Sequence, residues 1–293
     1  MDELKLQTPV QAGTSRIPLS LQDNYILLGS CFADNMGGKM AGLGFKACIN
    51  PFGTLYNPVS VCNSAARLTS GIPFSEKECV EMGAGAGLIC SFSHHTAFAR
   101  RTTEEFLDNA NSRLEEASAA WRKASKVVIT LGTVWCFEYI RTGETVSNCL
   151  KIDAKEFRRR RLSLSETSAL LRNLVSRNQD KSFIFTVSPI RHLKDGAHGN
   201  QLSKSTLLLA VEDVCSSFPD RTDYFPAYEI VMDELRDYRF YAADMVHPSA
   251  QTVDYLWSRF VDWAFPQGDK EELDNRTSIL RREAHRPNLH LSN

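Results

Sequence analysis

No apolar run in this 293-residue chain approaches membrane-spanning length, and its formal net charge is only -1. The first absence argues against a transmembrane helix. The second leaves no overall field to draw nucleic acid or anionic lipid onto the whole surface. The eight cysteines include no Cys-x-x-Cys pair, so the spacing of a structural zinc site is missing. The opening stretch, MDELKLQTPVQAGTSR, has no apolar segment of the kind a secretory signal carries. The expectation is therefore a cytoplasmic protein whose cysteines are free thiols in a reducing compartment. Internal repeats and low-complexity segments are also lacking. What remains, 43% hydrophobic and 24% charged residues, is ordinary globular composition with enough apolar material for a sizeable core.

Three β-branched or aliphatic runs read as buried strands: 24–28, 126–131 and 182–187. Amphipathic helices are expected between and after them, at 31–43, 58–69, 164–178, 199–217 and 249–264. A further helix, opening at the capping box Thr102-x-x-Glu105, sets Leu107, Ala110, Leu114, Ala117 and Trp121 on one face. A short strand is expected at 88–92, a hairpin around Arg141-Thr142-Gly143-Glu144, and a short edge element at 224–226. Asn50 to Pro58 is dense in Pro, Gly and Asn and must be a loop. Strands alternating with helices argue an α/β domain with a mostly parallel sheet and helices on both faces. One domain is expected over 1–266, entered through an irregular arm at 1–20. Residues 267–293, charged and without apolar period, read as a loosely attached tail.

In such sheets the ligand site lies beyond the carboxyl ends of the strands. The residues there are Gly29-Ser30-Cys31, Gly132-Thr133-Val134-Trp135 and Ser188-Pro189-Ile190-Arg191-His192. Near the other end of the chain, Asp244-x-x-His247 sets an acid and an imidazole three apart, on one side of a helical turn. Together these supply a nucleophile (Ser30), a base (His247) and an orienting carboxylate (Asp244). Each has a plainer reading: Ser30 as a helix cap, and Asp244 and His247 as the opening of the last helix. Cys31 is a rival nucleophile, but adjacent side chains diverge and only one can face the base. Trp135 suits either a platform for a sugar face or core packing. Arg191 and His192 suit substrate binding or a helix-start ion pair. His94-His95 lacks a nearby carboxylate; His95 is read as lining the site rather than binding metal. The run Arg158 to Arg161 reads as a solvated surface.

Gly29-Ser30-Cys31-Phe32-Ala33 resembles the signature of the GSCFA domain family. Asn50-Pro51-Phe52-Gly53-Thr54, Val146-Ser147-Asn148-Cys149, Ser188-Pro189-Ile190-Arg191-His192 and Asp244-x-x-His247-Pro248-Ser249 resemble that family's other landmarks, in order, across about residues 20–265. The resemblance implies an SGNH (GDSL-like) hydrolase: a flavodoxin-like α/β/α fold in which Ser30, Asp244 and His247 form a triad. It implies a hydrolase acting on a small-molecule or glycan ester, with no cofactor, no metal, and neither nucleic acid nor membrane as partner. Ser30 N–H and Gly53 N–H would hold the oxyanion. The superfamily's third block, Gly-x-Asn-Asp, is represented here by Gly132-Thr133-Val134-Trp135, without its asparagine. Thr133, Asn57 and Asn148 are therefore the candidate third donors; Asn50 is another. The missing asparagine also keeps open a catalytically silent carbohydrate-binding module, and an acceptor alcohol in place of water would make an acyltransferase.

Overall fold

The structure, a computed structural model, describes residues 7–284. Its centre is a five-stranded sheet of β1 (Asn24–Gly29), β2 (Lys46–Ile49), β5 (Lys126–Leu131), β9 (Ser182–Val187) and β10 (Thr222–Tyr224). All four neighbouring pairs are parallel, in the spatial order β2-β1-β5-β9-β10. Counted along the chain, that is the flavodoxin-like order 2-1-3-4-5. The strand order reverses between β1 and β5, so a crevice opens beyond the carboxyl ends of these two strands.

The helices α1 (Cys31–Gly42), α2 (Pro58–Ser70), α3 (Thr103–Lys123), α4 (Leu164–Arg177), α5 (Gly196–Ser217), α7 (Ala250–Ala264) and α8 (Gln267–Ala284) cover the two faces. A short turn of helix, α6 (Ala227–Glu229), runs into a wide π-type turn at Ile230–Leu235. Strand alternation divides the core. Ile26, Leu28, Val127, Ile129, Phe183 and Phe185 meet α2 to α5. Tyr25, Leu27, Val128 and Ile184 meet α1, α7 and α8. Side chains two apart on a strand share a face, so a continuous apolar run fills both layers.

Two small antiparallel sheets lie outside the central one. The expected strand at 88–92 shrinks to β4 (Ile89–Cys90), paired with β3 (Val80–Glu81). The expected hairpin forms from β6 (Trp135–Tyr139) and β7 (Thr145–Val146). It gains β8 (Phe157–Arg161), which contains the arginine run. There Arg158 and Arg160 both pair with the carboxylate of Glu138 on β6, so opposite charges face each other across the strands.

Residues after Pro266 depart from expectation. They form α8 rather than a loose tail, as far as Ala284; residues 285–293 lie outside the described residues. Leu273 is buried in the α1/α7 layer, Arg276 Nη1 donates to Leu43 O at 2.9 Å, and Asp269 Oδ2 accepts from Leu21 N at 3.1 Å. One buried leucine and two backbone contacts anchor a helix whose charged outer face masked it in the sequence. No described helix is long and apolar enough to cross a membrane.

Candidate active site

Ser30 stands where β1 ends and α1 begins. It is the N-cap of α1, with extended φ/ψ of -69° and 176°, and its Oγ accepts from Phe32 N at 3.3 Å. Gly29 makes this turn possible. Its φ is 140°, and a Cβ there would stand 2.1 Å from Thr130 O on β5. Only glycine tolerates both the conformation and the approach. Asn50 braces the turn from across the loop: its Oδ1 accepts from Gly29 N at 2.8 Å while its Nδ2 donates to Asp34 Oδ1 at 2.6 Å.

The acid–imidazole pair is formed. His247 Nδ1 lies 2.7 Å from Asp244 Oδ2. Asp244 Oδ1 accepts from Val246 N at 2.9 Å and His247 N at 3.0 Å. These two backbone N–H groups, with the imidazole, hold the Asp244 carboxyl down to about 2. The expected helical turn is absent. The pair is presented by an irregular turn in which Met245 has φ 58° and Ala242 N donates to His247 O at 2.8 Å. Val246 O accepts from Arg191 N at 3.2 Å, which ties this turn to the segment after β9.

Ser30 and His247 are not hydrogen-bonded to each other. Ser30 Oγ lies 3.1 Å from Thr130 Oγ1, and the residue is 1% exposed. Its N–H, expected to face an oxyanion, lies 3.0 Å from both Thr130 O and Thr130 Oγ1. Gly53 departs from expectation in the same way. With φ 93° it closes a tight turn in which its N–H donates to Asn50 O at 2.7 Å. A Cβ on Gly53 would stand 2.2 Å from His95 Cβ, so glycine is needed there for packing against His95.

Thr133 is also committed, whereas Asn57 and Asn148 are bonded through their side-chain oxygens and not through their Nδ2 groups. Thr133 N and Gly132 N both donate to Tyr56 O, at 2.8 and 2.9 Å, and Thr133 Oγ1 pairs with Ser203 Oγ at 3.0 Å. Asn57 caps α2 through Ser60 N at 2.9 Å. Asn148 Oδ1 accepts from Leu150 N at 2.9 Å and its backbone N–H donates to Phe92 O at 3.2 Å.

Of the expected substrate-binding residues, His192 lies beside the Ser30 turn. A Cβ on Gly132 would stand 3.5 Å from His192 Nε2 and 3.6 Å from Ser30 Cβ. His192 Nε2 is buried without a hydrogen-bond partner. Its ring packs edge-on to Tyr56 at 6.4 Å, and Asn200 Oδ1 accepts from its backbone N–H at 3.0 Å. Burial, reinforced by the Lys204 ammonium, pulls the imidazole down to about 4. Arg191 sends its Nη1 to Met232 Sδ at 3.4 Å. Trp135 carries the Arg159 guanidinium 4.3 Å above its ring, and Arg159 pairs with Asp195. His95 is exposed and caps a short turn through Ala97 N at 3.2 Å. Its neighbour His94 is buried among aromatic rings. Among the described residues, no group of three His, Cys, Asp or Glu could hold a metal ion.

Lys204 was not anticipated. It is fully buried, and its Nζ donates to Gly132 O and Ser188 O, each at 2.6 Å. Burial, with the Arg191 guanidinium, pulls its ammonium down to about 7. It clamps the carboxyl ends of β5 and β9 together beneath the crevice. A signal existed: the apolar stripe Leu207, Val211, Val214, extended back one turn, places Lys204 on the buried face.

The sequence profile described as the GSCFA family matches residues 24–260. No curated protein matches the chain. Among solved structures, a catalytic mutant of Axe2, an acetylxylan esterase from Geobacillus stearothermophilus, aligns with a TM-score of 0.40 at 15% identity. The alignment covers 86% of this chain and 100% of that one. A second Axe2 mutant, described as an acetyl-xylooligosaccharide esterase from Geobacillus, aligns with a TM-score of 0.40 at 14% identity and the same coverage.

Proposed function

The chain belongs to the GSCFA family, and from that membership and the geometry of the crevice we propose that it is a serine ester hydrolase of the SGNH type. It removes an acyl or acetyl group from a carbohydrate or related small-molecule ester. The observation that carries the reading is the Asp244–His247 pair. A carboxylate fixed by two backbone N–H groups holds Nδ1 of an imidazole at 2.7 Å, leaving Nε2 to act as base. The turn bearing it is bonded to the segment after β9, beyond the same sheet end at which Ser30 sits.

Catalysis requires the Ser30 hydroxyl to turn from Thr130 toward His247. Hydrogen bonds of this kind are often long in ligand-free enzymes and tighten with substrate. Ser30 Oγ then bonds the carbonyl carbon, the C=O π pair moves to oxygen, and His247 Nε2 takes the hydroxyl proton. Collapse of the tetrahedral species breaks the C–O bond to the alcohol, which leaves with that proton. Water, deprotonated by His247, releases the acid and restores Ser30.

A second reading, a carbohydrate-binding module without turnover, is favoured by the closed state of Ser30 and by the backbone N–H groups already bonded around it. A serine-directed fluorophosphonate probe separates the two. The esterase reading expects a single adduct mapping to Ser30, lost in Ser30→Ala, together with turnover of an aryl acetate. Saccharide binding by calorimetry, with no adduct and no turnover, would establish the module instead.

A further inference from the structure

Around Ser30 the backbone oxyanion donors are occupied. Ser30 N–H points to Thr130, Gly53 N–H to Asn50 O, and the N–H groups of Gly132 and Thr133 to Tyr56 O. The Thr133 hydroxyl is bonded to Ser203. An ester carbonyl turning into an alkoxide beside Ser30 needs at least one aimed donor, and losing one such donor lowers kcat by about 10²–10³. His192 Nε2 is buried and unpartnered, as is Nδ2 of the neighbouring Asn200, and of the two it is His192 Nε2 that borders the Gly132 gap beside Ser30. The missing side chain of Gly132 leaves a gap bordered by that atom and by Ser30, since a Cβ there would stand 3.5 Å from His192 Nε2, 3.6 Å from Ser30 Cβ and 3.2 Å from Tyr56 O.

We propose that His192 Nε2–H donates to the oxyanion formed at Ser30, supplying the donor that the Gly132–Trp135 segment lacks. The assignment rests on the esterase reading and adds a catalytic residue to it. Its geometry is held from behind. Asn200 Oδ1 takes the His192 backbone N–H at 3.0 Å, the Tyr56 ring packs against the imidazole, and Lys204 pins the carbonyls of Gly132 and Ser188 on either side. Asn200 and Lys204 are positioning residues. The ring is also held neutral. Burial and the Lys204 ammonium hold His192 at about 4, so near neutral pH it carries one ring proton, which the proposed role places on Nε2. An imidazole so depressed is a weak base at that pH, which leaves base catalysis to His247. Glycine at 132 acquires a function by the same argument. Its φ is not positive, so it is there for space rather than for conformation.

The test is steady-state hydrolysis of an aryl acetate across pH 5 to 9 by wild type, His192→Ala, His192→Gln and Gly132→Ala, each checked by thermal melting. His192→Ala is expected to lower kcat by about 10²–10³ with KM within about threefold of wild type. The acid limb of its pH profile should stay where it is in wild type. His192→Gln, which keeps an amide donor, should recover about tenfold of that loss. Gly132→Ala places a methyl group in the gap, against Tyr56 O at 3.2 Å, and should lower kcat with a small drop in melting temperature; His192→Gln, which fills the site, carries the test if His192→Ala does not fold. A His192→Ala variant within about twofold of the wild-type kcat would overturn the assignment, as would a loss confined to KM or disappearance of the acid limb. A wild type that neither turns over nor is labelled at Ser30 would overturn the esterase reading and this assignment together.

Discussion

His94→Phe tests the energetics beneath the site most directly. His94 is 0% exposed, ringed by Phe52, Phe74, Phe98 and Phe106 at centroid distances of 5.3, 4.5, 4.8 and 5.4 Å. Its Nδ1 lies 2.6 Å from Ser91 Oγ, and its Nε2 has no partner. Burial, aided by the Arg67 guanidinium, pulls the imidazole from 6.5 down to about 3. The folded pKa is below the unfolded one, so on acidification the unfolded chain takes up the proton first. The stability contributed by neutral His94 is complete above about pH 6.5 and is lost as pH falls from there toward about 3. Each pH unit in that window is worth about 1.4 kcal/mol, so about 3 kcal/mol is lost by pH 4.5. Phenylalanine fills nearly the same volume and cannot titrate, but it leaves the Ser91 hydroxyl with only the Ser93 N–H as partner, at a cost of about 1–3 kcal/mol at every pH. Urea unfolding followed by circular dichroism should therefore show the variant less stable than wild type at pH 7. At pH 4.5 the gap should have moved by about 3 kcal/mol in the variant's favour. Parallel losses, with the gap changing by less than about 1 kcal/mol, would refute the argument. The outcome bears on function because Phe52 belongs to the 50–57 loop, and Phe52 O accepts the His95 N–H at 2.8 Å.

Three further outcomes are expected. Asp244→Asn and His247→Ala should each lower aryl acetate turnover by about 10²-fold or more, and adding Ser30→Ala should bring little further loss; losses that multiply would mean the three do not act as one unit. Gly29→Ala should destabilise the protein by about 3 kcal/mol or more, read as a lowered urea midpoint, because the new Cβ meets Thr130 O at 2.1 Å in a backbone conformation that side chains resist; an unchanged midpoint would contradict the turn geometry. Leu273→Ala should lose about 2–4 kcal/mol and make α8 the first site of limited proteolysis, whereas wild-type resistance would show that the helix is held by other contacts.

The runs 24–28, 126–131 and 182–187 announced their strands because central parallel strands are buried on both faces, which demands unbroken apolar sequence. Helices with a side-chain N-cap and a single apolar stripe, such as α3 and α4, were legible for a similarly local reason, although in α3 the Glu105 carboxylate takes Arg101 N instead of closing the expected capping box. β2 was not. Lys46–Ile49 is a short edge strand whose residues are exposed or half-buried, so its pattern carries little burial signal. β8 was hidden because its arginines are stabilised by Glu138, on another strand. The Ser30 turn and the Asp244–His247 pair were readable because each is a contact between near neighbours in the chain. Which N–H groups around Ser30 are already bonded, and that His192 Nε2 is not, depended on residues 50–56, 130, 132 and 192 meeting in the folded chain. Periodicity and spacing encode burial and local turns. The pairing of polar groups distant in sequence is decided only when tertiary structure brings them within hydrogen-bond range.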